Sequence, residues 1–404
     1  MGAVAVAGGK GKRTGWVVIP GEEVMADLFQ TWGEPPPAPV AEVQEAPRVE
    51  PEPQRDLVYP EPADVVDVDE ASGPEPEAPS DVALPSNVCP VEPGSICVDG
   101  TMLVSLAECS TKSSLRYVYD WVAQREKWPA TAGIAFHKAC ELHFRGAPAD
   151  AVNATFAALY QPPPGIFHDD GKRLEATNLQ RIVARWVEKN PLSTFPFQVE
   201  STEQPFRVPL GKLKDGTPVY YMGRQDLILR EGRFLRVADI KTTRSISPYW
   251  KDQWMTSAQL TGYVWADLNG ALPSHLLGSS VIGATIVAVE FREIPSSNRR
   301  CSDHGMPYAE CGILHCKHEI IHTSRVPDQL NEWRLGALHL AERYASILRR
   351  FPTIESLHRL RMQGQWNGAC RFCEFKEFCM TGRQLPLVSS LLTPERWVPF
   401  PGAR

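Results

Sequence analysis

The sequence predicts an α/β domain, a central mixed sheet flanked by helices, reached after an arm that does not fold by itself. Three observations carry this prediction. Apolar residues recur at helical spacing from about Leu103 to Pro191. The period then drops to two through three consecutive segments that end at Thr243. After them a helix, a further strand and a long helix complete an order that layered cores of helices and strands share.

The arm comes first. From about Glu34 to Pro85 repeated Pro and Glu with few aromatics cannot bury enough apolar surface to offset chain entropy. Residues 1–85 are therefore read as a disordered acidic arm, 86–382 as the folded domain and 383–404 as a short tail. Charge divides at the same place. Met1 to Pro85 hold 5 Lys and Arg against 17 Asp and Glu, which leaves 37 against 31 for the rest of a 404-residue chain whose overall net charge is −6. The folded part is thus mildly basic. No run approaches the ~20 apolar residues of a membrane span. The start, MGAVAVAGGKGKRTG, is too short and carries its charges on the wrong side for a secretion signal, and Val6 stands where myristoylation expects Ser or Thr. A soluble, cytoplasmic protein with no membrane partner is expected. Its ten cysteines are then thiols, core residues or cofactor ligands rather than disulfides.

Within the domain, SLAECSTKSSLRYVYDWV and TAGIAFHKACELHF have helical spacing, the second placing Ile134, His137, Glu141 and Phe144 on one face. RLEATNLQRIVARWVEKNP is a helix stopped by Asn190-Pro191. TEQPFRVPL, VYYMGRQDLILR and RFLRVADIKTT are strands, the last two joined at Glu231-Gly232. DQWMTSAQLTGYVWADLNG returns to helix, SVIGATIVAVEFREI to strand, and PDQLNEWRLGALHLAERYASILRRF to a long helix.

With Glu231 and Gly232 in the turn, Asp226 pairs with Val237 and Arg224 with Asp239. The strand period then brings Asp226, Asp239 and Lys241 to one face. Two carboxylates and an ammonium in an oily hairpin suit phosphodiester hydrolysis. Hard oxygens hold Mg²⁺ or Mn²⁺, which activates water, while a lysine orients the nucleophile or meets developing charge. A plain Asp239–Lys241 ion pair is the other reading of those residues alone, so their partners decide.

GRQDLIL, VADIKTT and QLTGY, in this order, resemble the motif set of the RecB-like branch of the PD-(D/E)XK nucleases. Gly223 and Asp226 match its Gly-x-x-Asp strand, Asp239 and Lys241 its Asp-x-Lys strand, and Gln259 and Tyr263 its Gln-x-x-x-Tyr helix. His137 in GIAFHKACELHF matches a Gly-x-x-x-His helix. The resemblance implies a restriction-endonuclease-like core. In it His137, Asp226, Asp239 and the backbone carbonyl of Ile240 would hold Mg²⁺ or Mn²⁺, Lys241 would assist the attacking water, and Gln259 and Tyr263 would position the DNA strand. Glu203 in TEQPF resembles the glutamate that precedes the hairpin, with Glu200 equally available. Gln225 stands where the family name has proline.

GACRFCEFKEFCMTG spaces Cys370, Cys373 and Cys379 as ligands of zinc or of an iron–sulfur cluster, with a fourth ligand required from elsewhere. The triplet resembles that of AddB-type and CRISPR-associated nucleases of the same branch. There an upstream cysteine completes a [4Fe-4S] cluster that clasps the two ends of the domain. Cys109 matches it, Cys89 and Cys97 lie nearby as substitutes, and Cys140 fits a buried helical position. Closing so long a loop restricts the unfolded chain, so the cluster's first role is structural. A second group, Cys301, His304, Cys311, His315, Cys316 and His318, matches no common zinc finger and is read as an insertion loop.

The resemblance, from about Leu103 to Gly382, implies a metal-dependent deoxyribonuclease. The expectation is an exonuclease on DNA ends or single strands, in recombination, repair or phage DNA processing. A scaffold that binds DNA ends without cutting them is the alternative. Arg116, Arg244 and Lys251, with Trp250 and Trp254, flank the motifs and suit phosphate contact and base stacking. Nothing matches G-x-x-x-x-G-K-[ST], so the chain either acts alone or works with a separate helicase or recombinase.

Overall fold

A computed structural model describes residues 91–124, 128–163, 171–292, 300, 305–307 and 317–398. The acidic arm, Cys89 and the Cys301, His304, Cys311, His315 and Cys316 group lie outside the described residues. The elements run β1 (Ile96–Val98), α1 (Gly100–Glu108), α2 (Ser110–Tyr117), β2 (Trp121–Ala123), α3 (Trp128–Phe144), α4 (Ala149–Leu159), α5 (Ala176–Lys189), β3 (Gln198–Lys212), β4 (Pro218–Glu231) and β5 (Phe234–Thr243). They continue with α6 (Pro248–Asp252), α7 (Ala258–Ala266), β6 (Ser280–Glu290), β7 (His318–Thr323), α8 (Pro327–Arg350), α9 (Gly364–Asn367), α10 (Lys376–Met380), α11 (Val388–Leu391) and β8 (Leu392–Pro394).

Six strands make one mixed sheet in the order β1-β4-β5-β6-β7, with β3 beside β4. β3 runs antiparallel along the whole of β4, from Gln198↔Arg230 to Lys212↔Pro218. β4's other edge is shared: β1 pairs parallel with Val219–Tyr221, and β5 pairs antiparallel with Leu227–Glu231. β5 and β6 are parallel, so the chain between them must cross over, and α6 and α7 form that crossover. Apolar side chains bury both faces. One face carries Leu227, Leu229, Ala238 and Ile240 against α3, α4 and α5, and the other carries Phe206, Tyr221, Val237 and Ile286 against α1, α7 and α8.

Four readings of the sequence need correction. The first helical run is two helices broken at Cys109, which is extended at φ −162°. The side chain of Gln363 accepts from Ser110 N–H at 2.9 Å, so a distant residue restarts the helix there. The run 252–270 is likewise not one helix: α6 ends at the run's first residue, Asp252, and α7 starts only after the Ser257 cap, whose hydroxyl accepts from Leu260 N–H. Ile134 is 71% exposed and lies off the buried face that includes Glu141 and Phe144. In the hairpin the turn is Gly232-Arg233, because Glu231 pairs with Phe234. Gly232 takes φ +60°, which glycine tolerates at the first central position of a two-residue turn. Within the tail, β8 pairs with β2, and Arg116 forms an ion pair with Glu395 at 2.9 Å. This draws Arg116 to the chain's end rather than to the hairpin motifs.

Candidate active site

The site sits where two strands part. β4 and β5 pair as far as Leu227↔Ala238 and then diverge, while β5 continues beside β6 to Thr243↔Glu290. Asp226 and Asp239 are the first residues beyond that last pair. The corrected register keeps both on one side of their strands, because moving the turn by one residue shifts the pairing by two. The divergence frees backbone groups from the ladder, and a side chain takes one up: Ile240 N–H donates to Asp226 Oδ2 at 2.7 Å.

On β4's other edge, Thr202↔Leu227 and Gln204↔Gln225 place Glu203 directly opposite Asp226. Glu203 has φ +50°, a left-handed conformation that costs a β-carbon-bearing residue about 1–3 kcal/mol. From α3, His137 Nδ1 comes within 3.2 Å of Asp226 Oδ2. Each of His137, Glu203 and Asp226 offers a ligand atom, and these atoms lie within 4.8 Å of one another. Two hard carboxylates with an imidazole nitrogen fit a divalent cation such as Mn²⁺ or Mg²⁺. The structure also separates the two glutamates that the sequence left equal: Glu200 is tied to Arg230, while Glu203 turns to Arg224 at 2.6 Å and to the site.

Asp239 is 2% exposed, and Lys241 Nζ lies 2.6 Å from its Oδ2. Lys241 also donates to Gln259 Oε1 at 3.3 Å, Gln259 Nε2 donates to the Tyr263 hydroxyl at 3.1 Å, and that hydroxyl donates to the Arg224 carbonyl at 3.1 Å. Gln259 and Tyr263, one turn apart on α7, thus link the lysine to β4. Tyr263 is 7% exposed, so it acts on the protein's own strand instead of reaching out to DNA. Gly223 lets this happen: a β-carbon there would meet the Phe206 ring at 3.1 Å and the Tyr263 ring at 3.6 Å.

Charge and burial oppose each other throughout. Burial pushes Asp239 up, and Asp226's charge adds to this, against the pull of Lys241. Burial also pushes Asp226 up, but its hydrogen bond and charge pairing with His137, then Lys241 and the Ile240 N–H, bring it below its ordinary range. Burial pulls His137 and Lys241 down, yet the two aspartates raise both. Glu203 is raised by burial despite Arg224.

Around the site, the Trp254 ring lies 5.6 Å from Lys241 Nζ and packs edge-on with Trp250. Lys251 is paired with Glu319 at 2.9 Å, Arg244 is exposed, and Tyr249 beside Trp250 is 87% exposed.

Away from the fork, Cys109, Cys370, Cys373 and Cys379 line one cavity of ≈ 270 Å³ and form no disulfide. The break at Cys109 brings the start of α2 to it: Thr111 Oγ1 donates to the Arg361 carbonyl at 3.3 Å, beside the Gln363 contact. Burial, then the charges of Cys373 and Cys109, push the Cys379 thiol up to about 12, and burial raises Cys373. Cys97 pairs with Tyr220 in the β1–β4 ladder, and Cys140 is buried on α3.

The family model of the PD-(D/E)XK nuclease superfamily matches residues 101–380. No curated protein matches the chain. A solved structure described as the crystal structure of SSO0001 is similar at 14% identity, with a TM-score of 0.24, over 69% of this chain and 94% of the other, a likeness that carries no weight in the assignment. The family match spans most of the chain and includes His137, Glu203, Asp226, Asp239 and Lys241; the chain belongs to the PD-(D/E)XK nuclease superfamily.

Proposed function

We propose that the protein is a metal-dependent DNA exonuclease, acting on ends or single strands in recombination, repair or phage DNA processing. One observation carries the reading: His137, Glu203 and Asp226 converge at a fork in the sheet, beside the paired Asp239 and Lys241 and with Glu203 on a backbone held in a strained conformation. A cation held by His137, Glu203, Asp226 and Asp239, with the Ile240 carbonyl, would polarise the phosphoryl oxygen and lower the pKa of the attacking water. The chain's own residues do the rest. Lys241 has three N–H donors; Asp239 and Gln259 take two, and the third is left to hold the attacking water or a non-bridging phosphate oxygen. Asp226, kept ionised, anchors His137 in the tautomer that the hydrogen bond sets. Arg244 and the aromatic rim of Tyr249, Trp250 and Trp254 suit a single strand, whose bases stack on rings while its phosphates meet cations.

The four cysteines would hold a [4Fe-4S] cluster. They line one cavity, so the upstream Cys109 and the C-terminal triplet supply the four thiolates that such a cluster takes. When bound, the cluster would join α1 to the segment after α8 and so clasp the two ends of the domain. A separate helicase or recombinase is the partner that an isolated nuclease of this kind would serve.

Digestion of single- and double-stranded DNA, labelled at one end, with and without Mn²⁺ tests the activity. Mononucleotide or short products that require the metal are expected. Tight binding of DNA ends with no cleavage would favour the scaffold alternative. Iron content and visible absorbance after anaerobic purification test the cluster against zinc.

A further inference from the structure

Behind the fork, Gln225 and Asp267 meet in the core, 0% and 5% exposed. Gln225 Nε2 donates to Asp267 Oδ1 at 2.7 Å. The other oxygen of each group, Gln225 Oε1 and Asp267 Oδ2, is buried with no hydrogen-bond partner. Two buried acceptors left without a donor are costly. An amide and a carboxyl are both planar and present their two polar atoms on one edge, so a single proton repairs both deficits. Placed on Asp267 Oδ2, it makes that oxygen a donor to Gln225 Oε1 and closes a ring of two hydrogen bonds.

We propose that Gln225 and Asp267 form a buried acid–amide pair, with Asp267 as the neutral acid, and that the pair positions Asp226 for metal binding. The role rests on the metal-site reading above. Three successive β4 residues have three separate anchors at the point where β5 leaves: the Arg224 carbonyl takes the Tyr263 hydroxyl, Gln225 takes Asp267, and Asp226 takes the Ile240 N–H. Two of these anchors come from α7 and the π turn that continues it over Asp267–Ala271. Side chains there replace the missing strand ladder. Ionisation of Asp267 removes the donor from the ring, leaves two oxygens facing a buried charge and loosens β4 beside Asp226.

Among the described residues none gives this carboxyl a counter-charge. Burial pushes it up to about 7, opposed by Gln225 alone. On β4, the buried Tyr221 hydroxyl is itself raised by burial and by the charge of Asp99 and supplies no positive charge. On β3, Phe206 packs on Tyr221 and Tyr263, so strand alternation sends its neighbour Arg207 to the opposite face, and Glu203 is engaged by Arg224. On α7, Tyr263 faces the pair with a hydroxyl committed to Arg224.

Infrared spectra of the metal-free full chain test the pair without DNA. Wild type minus Asp267→Asn is recorded at pH about 6 and about 8, on either side of the value expected for Asp267. A protonated-carboxyl carbonyl band at the lower pH that fades at the higher one is expected; its absence at the lower pH would overturn the pair. Mn²⁺ titration tests positioning. Asp267→Leu and Gln225→Met should weaken binding by about 10–100-fold, while Asp267→Asn, which can close the same ring with its own amide, should rescue it at both pH values. Wild-type affinity in both Asp267→Leu and Gln225→Met would overturn the positioning role. Wild type that bound no Mn²⁺ would overturn the metal-site reading and that role with it, while the band still decides the pair.

Discussion

Glu203 and Asp226 face each other across the β3–β4 ladder, flanked by the pairs Thr202↔Leu227 and Gln204↔Gln225. Like charges opposite one another destabilise a sheet, and Glu203 adds a left-handed backbone at φ +50°. A sheet built only for stability would hold neither. A cation held between the two carboxylates, as proposed, would account for both.

Glu203→Gln should therefore weaken Mn²⁺ binding by at least about tenfold and leave the melting temperature unchanged or raised, since it relieves repulsion. Glu200→Gln, which removes only the partner of Arg230, should bind Mn²⁺ as wild type does. Calorimetric titration and thermal unfolding of both variants check this.

Lys241→Met should separate binding from chemistry. The methionine keeps the apolar stem against Trp254 but removes the donor held between Asp239 and Gln259. Cleavage should fall by about 10²–10³ in kcat, the cost typical of losing one preorganised donor. Mn²⁺ affinity should change far less, since the lysine is not a ligand. Single-turnover rates beside metal titrations measure the split.

Cys379→Ser should bleach the visible absorbance of anaerobically purified protein and lower its melting temperature without unfolding the domain. The ends have other ties that survive: the β2–β8 pair, Arg116–Glu395, and Asp120 accepting from Trp397 N–H at 3.0 Å. A variant that fails to fold at all would show that the clasp carries more of the stability than these ties do.

His143 gives a pH dependence remote from the metal. It is 5% exposed, its Nε2 lies 2.7 Å from the Asn190 carbonyl, and burial lowers its pKa. A histidine lowered on folding contributes stability that is present above its unfolded value of about 6.5 and lost as pH falls below it. His143→Gln, which keeps a donor for Asn190, should flatten the acid side of the stability profile, measured by denaturant unfolding across that range.

The sequence made Asp226, Asp239 and Lys241 legible because a period of two survives the one-residue error in the turn. Gln259 and Tyr263 were legible because one helical turn is a local quantity. Glu203 was not separable from Glu200, since the choice depends on the β3–β4 register, and a register shift between Val199 and Ser201 intervenes. The helix break at Cys109 and the Gln225–Asp267 pair were hidden for a similar reason. Each is fixed by a residue far along the chain, Gln363 in one case and the π turn after α7 in the other.

The most direct measurement is digestion of end-labelled DNA with Mn²⁺ by anaerobically purified wild type beside Asp226→Asn and Asp239→Asn. Metal-dependent release of label by the wild type and its loss in both variants, with each variant still folded, is the expected result. Undiminished cleavage by either variant would contradict the site, and a folded wild type that binds the DNA but releases no label would contradict the nuclease.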